Sequence, residues 1–476
     1  MSLTRRLSHR ARLRRTGAAL LATGLAASLA ACGGDDDDGG GGGGGGGDDT
    51  LTVWIIEDLP DRVAATQEIV DAFSEESGVT VELTPVAEDQ FAQILTSNAA
   101  AGDLPDVIGG IPLGQVRTLS ANELIDTDAT AEVLEALDPA TFSESALALT
   151  ADGDTQLAIP SESWIQLLVY RRDLFEAAGL AAPTTYDDIL AAAEALDSPD
   201  LAGFVGANVA GDAFTAQTME EVGLGNDCEL VDEEGEVTFD SDQCVEALDF
   251  YGQLMQNYTV SGAQDVDTTR ASYFAGQAAM IIWSTFILDE MAGLRNDALP
   301  TCPECKKDPG FLAKNSGVVT AIQGPSGSEP ATFGEVTSWA IAAESADSAG
   351  DFVEYVMTDG YEPWIAIAPE GKVPVRSGPE SGSTEYADAW ASMDVGVDTK
   401  APLSEFYGQD VIDALTAGTD TLSRWAIPQG QGDLLGAIQG EQPVANAVNQ
   451  VSSGTDPADA ASQAADAIRE AAESVQ

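Results

Sequence analysis

The sequence predicts an α/β protein of two lobes, each a mostly parallel β-sheet with helices packed on both faces. First, short apolar stretches rich in β-forming residues alternate with segments of helical periodicity along most of the chain. Second, roughly 425 residues follow residue 50, more than one hydrophobic core usually holds. Parallel strands of this kind bind ligands at their carboxyl ends.

The first five elements establish this alternation. Residues 51–56 are an apolar run of β-formers and predict a strand. Residues 61–77 repeat apolar side chains at helical spacing and stop at Gly78, which predicts a helix and its end. A strand at 79–84, a helix at 88–101 and a short buried strand at 105–108 follow.

The later segments keep the same rhythm. The predicted strands are 167–170, 279–283 and 338–341. The predicted helices are 172–178, 185–196 with Thr184 or Thr185 as its cap, 244–258, 270–280, 348–357 and the Ala-rich 457–475.

The first 31 residues have the layout of a secretory signal peptide. Six arginines precede an apolar segment, 17–31, that is shorter than the ~20 residues of a membrane-spanning helix. It ends in Leu29-Ala-Ala-Cys32, which resembles a bacterial lipobox, where the cysteine becomes the lipidated first residue. The alternative is a plain secreted protein with a chance cysteine.

Residues 33–49 contain only Gly and Asp and cannot fold. As a flexible coil they would span roughly 20–25 Å. We therefore expect a lipoprotein whose globular body is tethered through residues 32–49 to the outer face of the cell membrane.

Composition excludes several kinds of chemistry. His9 is the only histidine and lies in the signal, so the mature chain cannot use a Ser-His-Asp triad, a Cys-His pair or a His-ligated zinc. Without the six signal arginines, 14 basic residues face 80 acidic ones, a balance of −66. This charge opposes binding to nucleic acid or an anionic membrane. It suits either a surface adapted to high salt or an ordinary acidic secreted protein.

Four cysteines follow Cys32, and an even number in an exported protein indicates two disulfides. Of the three pairings, we favour Cys228–Cys244 and Cys302–Cys305. The alternative for the Cys302-Pro-Glu-Cys305 turn is a redox or zinc site, but zinc would need distant carboxylates because the chain has no second such pair. We expect no metal site and no cofactor.

Six blocks in a fixed order resemble the sugar-binding group of ABC-transporter solute-binding proteins, which includes maltose-binding protein. They are 51–54, 73–81, Ala101-Gly-Asp-Leu-Pro-Asp-Val107, 158–189 (the strongest), Phe274-Ala-Gly-Gln-Ala-Ala-Met280 and Pro369-Glu-Gly-Lys-Val-Pro-Val-Arg376. The resemblance implies the type II periplasmic-binding-protein-like fold, with a hinge between the lobes and the solute closed between them.

By the same resemblance, an N-terminal lobe comprises 50–160 and 333–376, and a C-terminal lobe 164–331 and 380–476. The implied partners are a small solute, an ABC permease and a cytoplasmic ATPase, and the protein is expected to be a monomer without enzymatic activity. We expect a neutral sugar or oligosaccharide, with a polyol or a polyamine as the alternative.

A sugar site needs aromatic plates for the apolar ring face and planar polar groups for the hydroxyls. The positions that the resemblance assigns to the cleft are Glu57, Asp58, the loop 109–112, Trp164, Asn208, Asp212, Phe214, Trp283, Phe286 and Trp339. Each of these residues could instead have a purely structural role, and for Trp339 a position in the core is as strongly expected as one in the cleft.

Two other function classes stay open. A tethered glycosidase would need two carboxylates and no histidine, but no recognisable acid pair is present. A surface lipoprotein that binds glycans or calcium is the other alternative, although the Asp-x-Asp pairs lack the Gly and Glu of an EF-hand loop.

Overall fold

A single long strand, β6, organises the computed structural model, which describes residues 50–57, 59–419, 421–438 and 440–473. The strands are β1 (Thr50–Ile56), β2 (Thr80–Val86), β3 (Val107–Pro112), β4 (Ala151–Asp152), β5 (Thr155–Gln156), β6 (Ile159–Arg171), β7 (Met280–Ser284), β8 (Ser316–Val319), β9 (Thr332–Ile341), β10 (Val373–Pro374), β11 (Asp394–Val395), β12 (Ala401–Pro402) and β13 (Leu422–Ser423). The predicted signal peptide, Cys32, the tether and Asp58 lie outside the described residues.

The helices surround these strands. They are α1 (Pro60–Ser77), α2 (Glu88–Ala101), α3 (Leu113–Ala121), α4 (Thr127–Ala136), α5 (Glu144–Leu149), α6 (Arg172–Ala178), α7 (Tyr186–Leu196), α8 (Ala213–Leu224), α9 (Asp242–Asn257), α10 (Val266–Phe274), α11 (Ile287–Met291), α12 (Phe311–Asn315), α13 (Ala349–Val356), α14 (Tyr361–Ile365), α15 (Glu385–Trp390), α16 (Gln409–Gly418), α17 (Asp433–Ile438), α18 (Pro443–Ser452) and α19 (Pro457–Glu473). None of the described helices is long and apolar enough to cross a membrane.

Strand β6 takes different partners along its length. From Ile159 to Ile165 it pairs with β9, and its start also pairs with β10. From Gln166 to Arg171 it pairs with β7 and β8 instead. We call β1, β2, β3, β9, β10 and the start of β6 the first sheet half, and β7, β8 and the end of β6 the second.

The sheet is mixed, which corrects the expectation of mostly parallel sheets. Strands β1, β2 and β3 pair in parallel as predicted, and β13 pairs in parallel with β9. The β3–β9, β6–β9, β6–β10, β6–β7 and β6–β8 pairs are antiparallel. Because β6 takes the chain out of the first half and β9 brings it back beside β6, these two central strands run in opposite directions.

Local signals fix many helix ends. Helix α1 begins at Pro60, where a missing N–H costs nothing, and stops at Gly78 in the left-handed conformation with φ 78°. The Thr185 side chain accepts a hydrogen bond from Asp188 N and caps α7, as expected. Asp265 and Thr268 form a reciprocal capping box, which starts α10 at Val266 rather than near 270.

The two disulfides have the favoured pairing. Cys228 bonds to Cys244 and joins the segment after α8 to the first turn of α9, with the Cα atoms 4.6 Å apart. Cys302 bonds to Cys305 within one tight turn, with the Cα atoms 4.9 Å apart. All four cysteines are buried.

Candidate functional site

Buried polar side chains collect where β6 exchanges partners. Gln166, Ser163 and Thr285 are buried there, and Thr285 N donates to Ile165 O. Neither side-chain polar atom of Gln166, nor the Ser163 or Thr285 hydroxyl, has a hydrogen-bond partner among the described residues. An unsatisfied buried polar group costs about 1–3 kcal/mol. A polar ligand entering between the sheet halves would remove this cost.

Trp164 lies on the same part of β6. Its indole is partly buried, and the ring centroid is 5.8 Å from that of Phe333 on β9. Trp164, Glu162 and Gln166 alternate along the strand and therefore project from one face of it. This places an aromatic plate next to the unpartnered amide of Gln166.

Phe286 brings the second sheet half against the first. It follows β7 and directly precedes α11, and its ring lies directly on Gly371, just before β10. A Cβ atom at Gly371 would be only 1.9 Å from Phe286 Cε1, so the contact requires glycine. A solute entering here would have to separate this ring from the 369–371 backbone.

Trp283 and Phe214 form an aromatic pair in the second half. Their ring centroids are 5.9 Å apart, Trp283 is only 5% exposed, and its Nε1 donates to Val266 O at 3.0 Å. The Arg270 guanidinium lies 5.6 Å from the Trp283 ring centroid. The two predicted aromatic residues therefore pack against each other, and Trp283 also contacts Arg270. Arg270 in turn binds a cluster of carboxylates.

This cluster, which we call the carboxylate cluster, comprises Asp289 and Glu290 of α11 and Glu370 of the loop before β10. Arg270 donates to Glu290 Oε1 at 2.7 Å, and Arg295 lies 3.8 Å from the same oxygen. From the first half, Arg62 donates to Glu370 Oε1 at 3.3 Å. The cluster thus draws charged groups from both sheet halves.

Burial is the main cause of unusual titration in the cluster. It raises the pKa of Asp289 well above its ordinary value, and the charges of Glu370 and Glu290 raise it further. Burial also raises the pKa of Glu290 to about 7, although Arg270 and Arg295 oppose the shift. The pKa of Glu370 is raised by burial against the opposing charge of Arg62.

Glu57, at the end of β1, connects the cluster to a cavity. Its carboxylate accepts hydrogen bonds from Leu59 N at 3.0 Å and from Arg62 at 3.2 Å. Arg62 and Lys400 also line a cavity of about 740 Å³ between α1, α14 and the β11–β12 hairpin. The cavity walls include Leu59, Ile69, Ala72, Tyr355, Pro363, Ile367 and Val397. A volume of this size falls in the range of small-molecule sites.

The ion pair between Glu162 of β6 and Lys372 was not anticipated from the sequence. Lys372 Nζ donates to Glu162 Oε1 at 2.5 Å, and Trp364 Nε1 donates to Glu162 Oε2 at 2.7 Å. The Lys372 ammonium also lies 3.7 Å from the centroid of the Trp364 ring. This buried arrangement holds the loop that carries Glu370 and Gly371 against β6.

Arg424 connects helix α8 to strand β9 of the first sheet half. It donates to Glu335 Oε2 on β9 at 2.6 Å and to Glu220 Oε1 on α8 at 2.9 Å. Glu335 Oε1 in turn accepts from Leu113 N at the start of α3. Burial opposes the charge of Arg424, but Glu220 and Glu335 outweigh it and raise its pKa.

The remaining predicted residues have structural contacts. Asp212 caps α8 by accepting from Thr215 N at 3.0 Å, and Asn208 Oδ1 accepts from Gln264 N at 2.7 Å. Trp339 is 1% exposed and packs against Phe352 and Trp364 in the core. The segment 109–112, expected to be a loop, is instead part of β3, because the strand keeps pairing with β9 as far as Pro112, and Gly109 lies against the Trp339 ring. The described residues contain no group of three or more acidic, Cys or His side chains suited to a metal ion.

Comparison with known proteins gives a consistent result. The family described as "Bacterial extracellular solute-binding protein" matches residues 57–363. An Escherichia coli K12 protein named as an ABC transporter periplasmic-binding protein, YcjN, is 27% identical over 344 residues, which are 70% of this chain and 74% of that protein.

Solved structures share the fold. The GacH receptor of Streptomyces glaucescens, solved unliganded and with acarbose, aligns with a TM-score of 0.65 and 18% identity over 89% of this chain and 98% of that one. A sugar transporter protein of Arthrobacter chlorophenolicus with bound laminaribiose aligns with a TM-score of 0.66 and 19% identity over 88% of this chain and 99% of that one. An Agrobacterium radiobacter solute-binding protein in complex with ribitol aligns with a TM-score of 0.62 and 18% identity over 88% of this chain and 98% of that one. These likenesses confirm the two-lobed α/β architecture.

Proposed function

The chain belongs to the bacterial extracellular solute-binding proteins, and from this premise we propose that it captures a sugar or oligosaccharide between its two lobes for an ABC importer. The observation that carries the proposal is the set of unpartnered polar groups at the β6 crossing, where Trp164 shares a strand face with Gln166 and Phe286 directly follows Thr285. Aromatic faces and planar polar groups are the two features that bind sugar rings.

Capture would use a hinge between the sheet halves. We take the N-terminal lobe to be 50–160 with 333–376, and the C-terminal lobe to be 164–331 with 380–476. The change of partners after Ile165 on β6 supports a crossing near the first of these boundaries. A solute that contacts both lobes stabilises the closed form by its extra contacts there.

The proposed setting is the outer face of the cell membrane. There a lipid on Cys32 would hold the protein, acting as a monomer, near the ABC permease that receives the solute. The strongly acidic composition, with 80 acidic and 20 basic residues in the full chain, supports work in a saline medium.

A polyol is the second candidate ligand. A polyol offers the same hydroxyl groups as a sugar without the ring, and one structural neighbour was solved with ribitol. The relatives named above are solute-binding proteins, and we propose no catalytic activity for this chain.

A thermal-shift screen of the full chain in high salt tests the proposal. Sugars, polyols, polyamines and amino acids would be added singly. A ligand present at 100 times its dissociation constant adds about 2.7 kcal/mol of stability, so a binding solute should raise Tm clearly. A rise confined to one family of sugars supports the proposal. Cleavage of glycosides, or stabilisation by calcium alone, would refute it.

A further inference from the structure

The carboxylate cluster has more acceptor oxygens than the chain itself satisfies. Asp289, Glu290 and Glu370 are only 0%, 1% and 2% exposed. Among the described residues, both oxygens of Asp289, Glu290 Oε2 and Glu370 Oε2 have no hydrogen-bond partner. Buried carboxylate oxygens are normally paired or hydrogen-bonded, because burying an unpaired charge is costly. These four oxygens are therefore available to donors from a bound molecule.

Nearby basic groups are already engaged. Arg62 lies 3.2 Å from Glu57 as well as 3.3 Å from Glu370. Arg270 lies 2.7 Å from both Asp267 and Glu290, and Arg295 lies 2.9 Å from Asp297 and 3.8 Å from Glu290. Each guanidinium therefore divides its charge between the cluster and a second carboxylate.

The cluster is short of positive charge. The cluster itself holds three buried acids, Asp289, Glu290 and Glu370, whereas Glu57, Asp267 and Asp297 contact the arginines around it, and the Asp267 and Asp297 side chains are 76% and 66% exposed. The basic groups are Arg62, Arg270, Arg295 and Lys400, the last acting on Glu370 through its charge. Each arginine is thus shared with a carboxylate outside the cluster, and Asp289 has no ion pair among the described residues.

The two sheet halves contribute one each of Asp289 and Glu370. Asp289 belongs to α11 after β7 in the second sheet half, and Glu370 belongs to the loop before β10 in the first. The Phe286 ring rests on Gly371, so the segments that carry the two acids touch at that point. Asp289 and Glu370 also act on each other through their charges, so a molecule that separates Phe286 from Gly371 would come close to both acids.

Building on the proposed solute capture, we propose that the captured solute carries a cationic amine, as an amino sugar does, and that Asp289 and Glu370 bind its ammonium group. An ammonium has three donors and no acceptor, and it matches a site that offers unpartnered carboxylate oxygens from two directions. Its charge also compensates that of Asp289, which is buried without an ion pair among the described residues. The solute therefore differs in charge from the neutral sugar expected from the sequence, and keeps the hydroxyl groups that the β6 crossing would bind.

The test compares sugars that differ only at nitrogen. Glucosamine, N-acetylglucosamine and glucose, and the matching galactose series, are titrated calorimetrically into the full chain. Acetylation removes the charge and keeps the ring. A buried charge-assisted hydrogen bond predicts that at least one free amine binds about tenfold or more tighter than its acetylated and parent forms.

Variants assign this preference to the cluster. Asp289→Asn and Glu370→Gln keep the size of each side chain and should reduce the preference for the amine to less than about threefold. Asp249→Asn, at an exposed position on α9, is the matched control and should keep the full preference. Circular dichroism and Tm of each variant confirm that it is folded.

Each outcome is decisive. Loss of amine preference in both cluster variants, with the control unchanged, supports the inference. Equal binding of amine, acetylated and parent sugars overturns it and leaves sugar capture standing, as does an amine preference that survives Asp289→Asn and Glu370→Gln. Absence of binding throughout both series, together with a negative thermal-shift screen, rejects sugar capture and this inference together.

Discussion

The guanidinium of Arg424 donates a 2.6 Å hydrogen bond to the carboxylate of Glu335, and both side chains are buried. Arg424 follows β13 and also donates to Glu220 on α8, while Glu335 on β9 also accepts a hydrogen bond from Leu113 N. One arginine therefore joins a helix of the second half to the central strand of the first. Its cation–π contact with Phe333, 4.7 Å from the ring centroid, completes its surroundings.

Removing this arginine should strongly destabilise the fold. Arg424→Met keeps a long side chain but leaves Glu220 and Glu335 buried without their cation. Breaking one side of a buried ion pair costs about 3–5 kcal/mol, because the remaining charge is uncompensated. Urea unfolding followed by circular dichroism measures the loss.

A surface arginine gives the control for this variant. Arg469 donates to Asp240 at 2.8 Å and to Asp466 at 2.9 Å, but all three side chains are substantially exposed. Arg469→Met should therefore cost less than about 1 kcal/mol. If the two variants lose equal stability, Arg424 does not hold the sheet halves together as described.

The two disulfides should contribute unequally. Cys228 and Cys244 are 16 residues apart, and closing such a loop in the unfolded chain is worth about 3 kcal/mol. Cys302 and Cys305 are only 3 positions apart, and closing that shorter loop in the unfolded chain is worth about 2 kcal/mol. The double variants C228A/C244A and C302A/C305A, compared by urea unfolding, check this order. A larger loss for the second pair would contradict it.

Stability should fall as pH rises through the range in which the carboxylate cluster ionises. The folded-state pKa of Asp289 is raised, so this group favours folding below its unfolded value of about 4, and that contribution is lost as pH rises. Glu290, with a pKa of about 7, adds to the same trend. Asp289→Asn cannot ionise and should be more stable than wild type at pH 8.

The measurement is Tm between pH 5 and pH 8 for wild type, Asp289→Asn and the exposed-site control Asp249→Asn. The Asp289→Asn variant should show the flattest profile, and the control should follow wild type. Parallel profiles for all three proteins would contradict the account of Asp289.

Two tryptophans that the resemblance assigns to cleft positions should behave differently. Trp339 is in the core beside Phe352 and Trp364, so Trp339→Ala should cost about 3–5 kcal/mol. Trp164 is partly buried at the β6 crossing, so Trp164→Ala should cost about 1–2 kcal/mol and weaken solute binding about tenfold. Unfolding and binding isotherms of both variants separate the two roles. A core-sized stability loss at Trp164 would argue against a binding role.

Local chemistry made much of the fold predictable. The stop at Gly78, the cap at Thr185 and the strand formed by the apolar run 51–56 depend on a few neighbouring residues, and each is present in the structure. The antiparallel return of β9 was not predictable in this way. The chain forms β7 and β8 of the second sheet half before it returns as β9. No local sequence pattern indicates that β9 then pairs antiparallel with β6.

The charged parts of the site were the least predictable. Glu220, on α8, is surrounded in sequence by the acids of a very acidic chain, and its partner Arg424 is 204 residues away. Glu370 and Arg62 are separated by 308 residues. Glu57 could be anticipated because it follows a recognisable strand, whereas these buried acids resemble solvated surface until the fold pairs them.

The most direct test of the account is calorimetric titration of the sugar series into the full chain and into its Phe286→Ala variant. If a solute is captured between the sheet halves, wild type should show saturable binding at one site per chain. The variant should bind the same solute about tenfold or more weakly, because the ring that meets Gly371 is lost. Equal affinity of the two proteins, or no saturable binding by wild type, would contradict capture at this junction.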